Sequence, residues 1–182
     1  MIISQDTPLR EIAFIVCTAL DGIGVTAVLT GGAAATIWSG GQHQSHDCDF
    51  VIKFHEAGAP AEAVLLDLGY VESGGVYRHR NNPFTLEFPP GPLSVGDTLI
   101  TTWDTLRENE RLLHILSPTD SCRDRLAAFF HWADYSSLKV AVAIAKLGGV
   151  NLDAVRQWSL NESTDERYAQ FARALAAELP KS

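Results

Sequence analysis

The chain has 182 residues, 46% hydrophobic and 20% charged, which is the balance of a globular chain rather than a disordered or fibrous one. Its formal net charge of −8 argues against a broad, non-specific nucleic-acid surface, because such binding rests on clustered Lys and Arg against phosphates. A small phosphorylated ligand is still compatible with that charge if a divalent cation offsets it. The cysteines Cys17, Cys48 and Cys122 are far apart and lack zinc-ligand spacing, so neither a disulfide framework nor a Cys-based metal site is expected. No signal-peptide pattern opens the chain, and the apolar segment Ile12 to Leu20 is too short to cross a bilayer. The expectation is a cytoplasmic protein with no membrane partner.

Leu9, Ile12, Ala13, Val16 and Leu20 recur at helical spacing and predict a helix over 7–21. Gly22 and Gly24 break it, and the β-branched run Val25 to Leu29 reads as a buried strand. Thr30-Gly31-Gly32 ends that strand, a helix follows over 33–38, and 39–46 form a polar loop. A second strand runs from Asp47 to Phe54, and a helix from Gly58 to Leu68. Strand formers at 70–72 and 76–79 predict a hairpin-like stretch. Asn81-Asn82-Pro83 reads as a turn, and Phe84 to Phe88 as a third strong strand. Pro89-Pro90-Gly91-Pro92 stops it, since proline has no ladder donor. The apolar run Leu112 to Leu116 ends at Ser117-Pro118, a cap with proline in the first helical position. Helices are then expected over 118–132, 134–147, 151–159 and 164–178. The fold expected is α+β: a mixed sheet flanked by helices over 1–116, with a helical bundle over 117–182 packed on it.

Strand side chains alternate faces, so Asp47 and Asp49 project to one side and Cys48 and Phe50 to the other. Two like charges so placed are unfavourable without a cation nearby. Mg²⁺ takes oxygen ligands, commonly one or two carboxylates plus substrate phosphates, so the pair suits Mg²⁺-assisted phosphoryl chemistry. From spacing alone, two edge carboxylates facing water fit equally well. Gly31-Gly32 lets backbone N–H groups approach an anion at a helix start, although a strand-to-helix turn also takes glycine for steric reasons.

Leu29-Thr30-Gly31-Gly32, then fourteen residues, then Asp47-Cys48-Asp49-Phe50 resembles the signature of the DNA polymerase β-like nucleotidyltransferase superfamily. Within it the chain looks most like the small bacterial nucleotidyltransferases found among toxin–antitoxin partners and antibiotic-modifying enzymes. It also resembles an uncharacterised bacterial group carrying Phe-Pro-Pro-Gly-Pro-Leu and Asp-Arg-Leu-Ala-Ala segments. The likeness covers roughly residues 25–90, with a weaker echo at Leu116-Ser117-Pro118. It implies a nucleotidyltransferase-like fold in which Asp47 and Asp49 bind Mg²⁺ (or Mn²⁺) and Glu87 is the third carboxylate. Thr30, Gly31 and Gly32 would hold the triphosphate, with Ser45 and Arg125 as further nucleotide-binding residues. The chemistry implied is metal-assisted transfer of a nucleotide from an NTP to a hydroxyl on a small molecule, a protein or an RNA end. Relatives often place Arg or Lys in the loop before the Asp-x-Asp strand. Residues 33–46 contain neither, leaving His43 and His46 as the loop's potential cations. Arg125 stands near a lysine position of toxin-like relatives, and Ser136-Ser137 near the place of their later acidic group. The alternative function is therefore a catalytically inactive member, acting as a nucleotide-binding or partner-binding module of the toxin–antitoxin type.

Other features have competing readings. His46-Asp47 also spells the pair of metal-dependent phosphohydrolases, and His43-x-x-His46 a metal clamp, against a simple solvated loop. The Pro89–Pro92 segment is a rigid turn at the rim of the cleft, or a proline-rich ligand. Arg123, Asp124 and Arg125 are charged edges of a helix packed through Leu126, Phe129 and Phe130, or Arg125 reaches the cleft. Trp103, Trp132 and Trp158 read as core or interface anchors in preference to base-stacking platforms.

Overall fold

The computed structural model describes residues 2–162 and 165–179. Along the chain run α1 (Leu9–Asp21), β1 (Val25–Thr30), α2 (Gly31–Trp38), β2 (Asp47–His55), α3 (Ala61–Asp67), β3 (Tyr70–Ser73), β4 (Val76–His79) and β5 (Asn82–Glu87). The short strands β6 (Ser94–Val95) and β7 (Thr98–Leu99), then β8 (Asp104–Glu108) and β9 (Arg111–Ile115), complete the β-rich part. Helices α4 (Pro118–Trp132), α5 (Tyr135–Leu147), α6 (Leu152–Glu162) and α7 (Asp165–Glu178) follow.

β1 occupies the interior of the main sheet because Val25, Ala27, Val28 and Leu29 are all inaccessible and need cover on both faces. The seven strands are ordered β3-β4-β5-β2-β1-β9-β8, with β6 and β7 paired separately. β1 runs antiparallel to β2 and parallel to β9, and β2 runs parallel to β5. On one face, Ile12, Phe14 and Val16 of α1 pack with Leu29, Phe50, Leu86 and Leu113. Leu65 of α3 joins the same core. On the other face, Val28 and Val51 pack with Leu126 and Phe129 of α4 and Ile144 of α5. Trp158 of α6 and Phe171 of α7 extend that second core. The helices after residue 117 thus cover the sheet face that β2 presents through Asp47, Asp49 and Val51.

Local chemistry explains the boundaries. Ser117 caps α4 by accepting from the Asp120 N–H at 3.0 Å, with Pro118 in the first turn. Asp134 caps α5 by accepting from the N–H groups of Ser136 and Ser137 at 2.9 and 3.2 Å. The hydroxyls of Ser136 and Ser137 also donate to Asp134, so this serine pair serves the helix start. The helix expected over 58–68 is shorter, because Gly58 has φ +82° and Pro60 precedes the first helical residue. The helix expected over 164–178 runs from Asp165, residue 164 lying outside the described residues.

The strands β5 and β8 depart from the sequence reading. β5 begins at Asn82, inside the expected turn, because the buried Asn82 side chain ties the strand to the N-terminal segment. Its Nδ2 donates to the carbonyls of Ser4 and Thr7 at 2.8 and 3.0 Å, and its Oδ1 accepts from the Phe84 N–H at 3.0 Å. The edge strand β8 contains one apolar residue, Leu106, and owes its conformation to pairing with β9. Trp158 is a core residue, as expected, stacked on Phe130 with ring centroids 5.7 Å apart, whereas Trp132 is 77% exposed with its ring beside that of His131.

Asn82→Ala leaves two carbonyls and one N–H without their partner, and is expected to lower stability by about 2–3 kcal/mol in chemical denaturation. Ala133, between α4 and α5, holds a left-handed conformation at φ +53°. That conformation costs a non-glycine residue about 1–2 kcal/mol, against about 0.5–1 kcal/mol for glycine's extra chain entropy. Ala133→Gly is therefore expected to stabilise by about 0.5 kcal/mol, read as a small rise in Tm.

Candidate functional site

Alternation along β2 buries Cys48 and Phe50 in the first core and leaves Asp47 and Asp49 half-buried on the opposite face. The parallel register with β5 sets Thr85 beside Asp47, Leu86 beside Cys48 and Glu87 beside Asp49. Leu86 shares the first core with Cys48, so Glu87 lies on the aspartate face. Three carboxylates from two adjacent strands therefore share one surface. The Asp49 carboxyl records the consequence: burial, followed by the charges of Asp47, Glu87 and Asp124, pushes its pKa up to about 6, against the opposing pull of Arg125.

The glycine turn abuts this group. Gly31 has φ +59°, and a Cβ there would fall 2.6 Å from Asp49 Oδ2. A Cβ on Gly32 would fall 2.6 Å from Ser45 Oγ and 3.4 Å from His43 Nε2. A side chain at either position would have to displace Asp49 or Ser45, and Gly31 also adopts a backbone conformation that other residues rarely hold. Gly31 and Gly32 open the first turn of α2, where N–H groups have no acceptor within the helix. Thr30 closes the β1–β2 ladder opposite Asp49, and its hydroxyl donates to the Asp49 carbonyl at 3.3 Å.

The polar loop 39–46 is tied to α2 through the Thr36 hydroxyl and braced internally by Ser39. The Thr36 hydroxyl donates to the Gly32 carbonyl at 2.9 Å and accepts from the Ser45 N–H at 3.0 Å, while Ser39 Oγ accepts from the His43 N–H at 3.2 Å. Ser45, so placed, donates its hydroxyl to Asp47 Oδ1 at 2.6 Å. His43 sits beside the turn, and burial together with Arg125 lowers its pKa, partly countered by Asp47. His46 is exposed, and its backbone carbonyl accepts from the Thr85 N–H at 3.2 Å.

From the covering helix, α4 brings Asp124 and Arg125 to the same place. Asp124 was read from the sequence only as a helix edge. The signal that marks it is its position in a charged triplet between the buried residues Cys122 and Leu126. Arg123, its other neighbour, is structural: it donates to Asp120 Oδ1 and to the Ala154 carbonyl.

Among the described residues, no three His, Cys, Asp or Glu side chains close on one point as a preformed ion cage. The carboxylates stand side by side instead. Such a set fits Mg²⁺ or Mn²⁺, because those ions keep several waters and complete their shell with ligand phosphates. Burial, followed by the charges of Asp47, Glu87 and Asp124, disfavours the ionised form of Asp49, a condition that a nearby cation would relieve.

No protein-family model matches this sequence, and no curated protein matches it. Among solved structures, the chain is similar to an antigenic nucleotidyltransferase-like protein from Paracoccidioides brasiliensis. The TM-score is 0.62 at 18% sequence identity, over 98% of this chain and 97% of that one. At that identity the likeness is one of fold, and its span takes in the C-terminal helices as well as the sheet. The chain has a nucleotidyltransferase-like α+β fold.

Proposed function

We propose that this protein is a Mg²⁺- or Mn²⁺-dependent nucleotidyltransferase that moves a nucleotide from a nucleoside triphosphate to a hydroxyl acceptor. The observation that carries the reading is the β2–β5 register, which sets Glu87 against Asp49 beside a glycine turn packed closely against Asp49 and Ser45. Asp47 and Asp49 would hold the cation, with Glu87 as the third carboxylate. When bound, the cation supplies positive charge to the phosphoryl oxygens and lowers the pKa of a coordinated hydroxyl. Ser45 restrains Asp47 by donating to one of its oxygens. The N–H groups of Gly31 and Gly32 offer donors to phosphate at a helix start. Arg125 adds the positive charge that the loop before β2 lacks.

A catalytically inactive nucleotide-binding module is the second reading, favoured by the absence of Lys and Arg from residues 33–46. The connection to toxin–antitoxin systems rests on the sequence resemblance alone. Among the described residues no helix is long and apolar enough to cross a membrane.

Calorimetric titration of the wild-type chain with each NTP in Mg²⁺ and Mn²⁺ tests the reading. Binding is expected, and Asp49→Ala should weaken it by at least about tenfold, or 1.4 kcal/mol. Absence of binding in both metals sinks the proposal. Pyrophosphate release with candidate acceptors then separates the enzyme from the binding module.

The raised pKa of Asp49 makes a second prediction for metal-free protein. A carboxyl whose folded pKa exceeds its unfolded value near 3.9 favours folding in its protonated form. Its ionisation therefore costs no stability below pH 4, and the cost grows as pH rises through about 6. Asp49→Asn mimics the neutral form. In EDTA it should be more stable than wild type at pH 7.5 by roughly 1 kcal/mol, a figure discounted for the residue's partial exposure. The gain should vanish at pH 4, and thermal unfolding at the two pH values measures it.

A further inference from the structure

We propose that Asp124 is a positioning residue, fixing the Arg125 guanidinium over the carboxylate face as the phosphate-binding cation of this site. Arg125 Nε and Nη2 both donate to Asp124 Oδ2, at 3.0 and 2.5 Å. This pairing is unusual for a helix, where residues one apart point about 100° from each other and ion pairs normally span three or four positions. Four residues either side of Arg125 stand Ser121 and Phe129, so the ordinary helical partners are missing. The guanidinium instead turns sideways, and both side chains are mostly covered, at 20% and 25% exposure.

The direction of that turn matters. Arg125 interacts electrostatically with Asp49 and His43, two residues that flank the glycine turn from different elements. Its Nη1 has no hydrogen-bond partner among the described residues, which leaves a donor for a ligand oxygen. Without Asp124, a flexible arginine near Asp49 would collapse onto that carboxylate and neutralise a group needed for the cation. Held by Asp124, it keeps its charge near Asp49 and His43 with its hydrogen bonds directed to Asp124. A lysine at 125 could not be gripped by one carboxylate and still present an aligned second donor.

The inference rests on the nucleotidyltransferase reading, and a double-mutant cycle separates the two. Mg·NTP affinity is measured calorimetrically for wild type, Asp124→Ala, Arg125→Ala and the double variant, using the NTP that wild type binds most tightly. Thermal unfolding monitors the fold of each. If Asp124 acts through Arg125, each single change weakens binding by about tenfold, and the double variant is no weaker than Arg125→Ala. Arg125→Lys should recover little of the loss. Asp124→Asn, which keeps one acceptor oxygen, should fall between wild type and Asp124→Ala, and it carries the cycle if the alanine variant does not fold. Multiplying losses, to about a hundredfold in the double variant, would overturn the positioning role and make Asp124 an independent ligand. Unchanged affinity in Asp124→Ala would also overturn it. Failure of wild type to bind any NTP removes the functional reading itself, and this inference with it.

Discussion

The parallel pairing of β2 with β5 aligns Asp49 with Glu87 and keeps both on the face that carries Asp47. In a sheet, neighbouring strands lie about 5 Å apart, so register fixes which side chains must meet whatever their charges. Here it forces three carboxylates onto one partly buried surface, at a cost visible in the upward shift of Asp49. The hydrophobic alternation on the reverse face sustains that arrangement. Slipping β2 by one residue would place Cys48 and Phe50 on the acidic face and drive the aspartates into the core. The packing of Phe50 on Phe88, with ring centroids 5.9 Å apart, therefore supports the position of Asp49 from the other side of the sheet.

The same constraint explains the surroundings. A carboxylate this close to the chain needs a neighbour without a side chain, and Gly31 supplies one in a left-handed conformation. A polar loop then has to be tied down, and Thr36 and Ser39 of the α2 region do so with hydroxyl groups. Finally, the surface needs positive charge, and it comes from a helix far along the chain instead of the adjacent loop. Local unfavourable electrostatics of this kind are common where a fold has been shaped for ligand binding at the expense of stability.

Much of this was legible before any coordinates. The strands at 25–29 and 47–54, the cap at Ser117 and the turn at Gly31-Gly32 follow from local pattern and turn chemistry. So does the sharing of one face by Asp47 and Asp49, because these depend on residues within one turn or one strand. Asn82 misled for the same reason: Asn-Pro is a good local turn signal, and only the carbonyls of Ser4 and Thr7 turn it into a strand anchor. β8 was illegible because a lone Leu106 among polar residues has no pattern apart from its ladder with β9.

The sequence by itself determined that two carboxylates would stand together after a glycine turn, since strand alternation and glycine's backbone freedom are properties of neighbouring residues. Tertiary structure alone decided how those carboxylates are surrounded. Which strand lies beside β2, and in what register, is set by packing on the opposite face, and that choice brought Glu87 to Asp49. The docking of α4 through Leu126 and Phe129 decided that Arg125, and with it Asp124, would supply what the loop omits. The pairing of Asp49 with Glu87 and the approach of α4 to Asp49 depend on the whole core. The Asp-x-Asp pair stands out in the sequence, and the fold places Glu87, Arg125 and Asp124 around it.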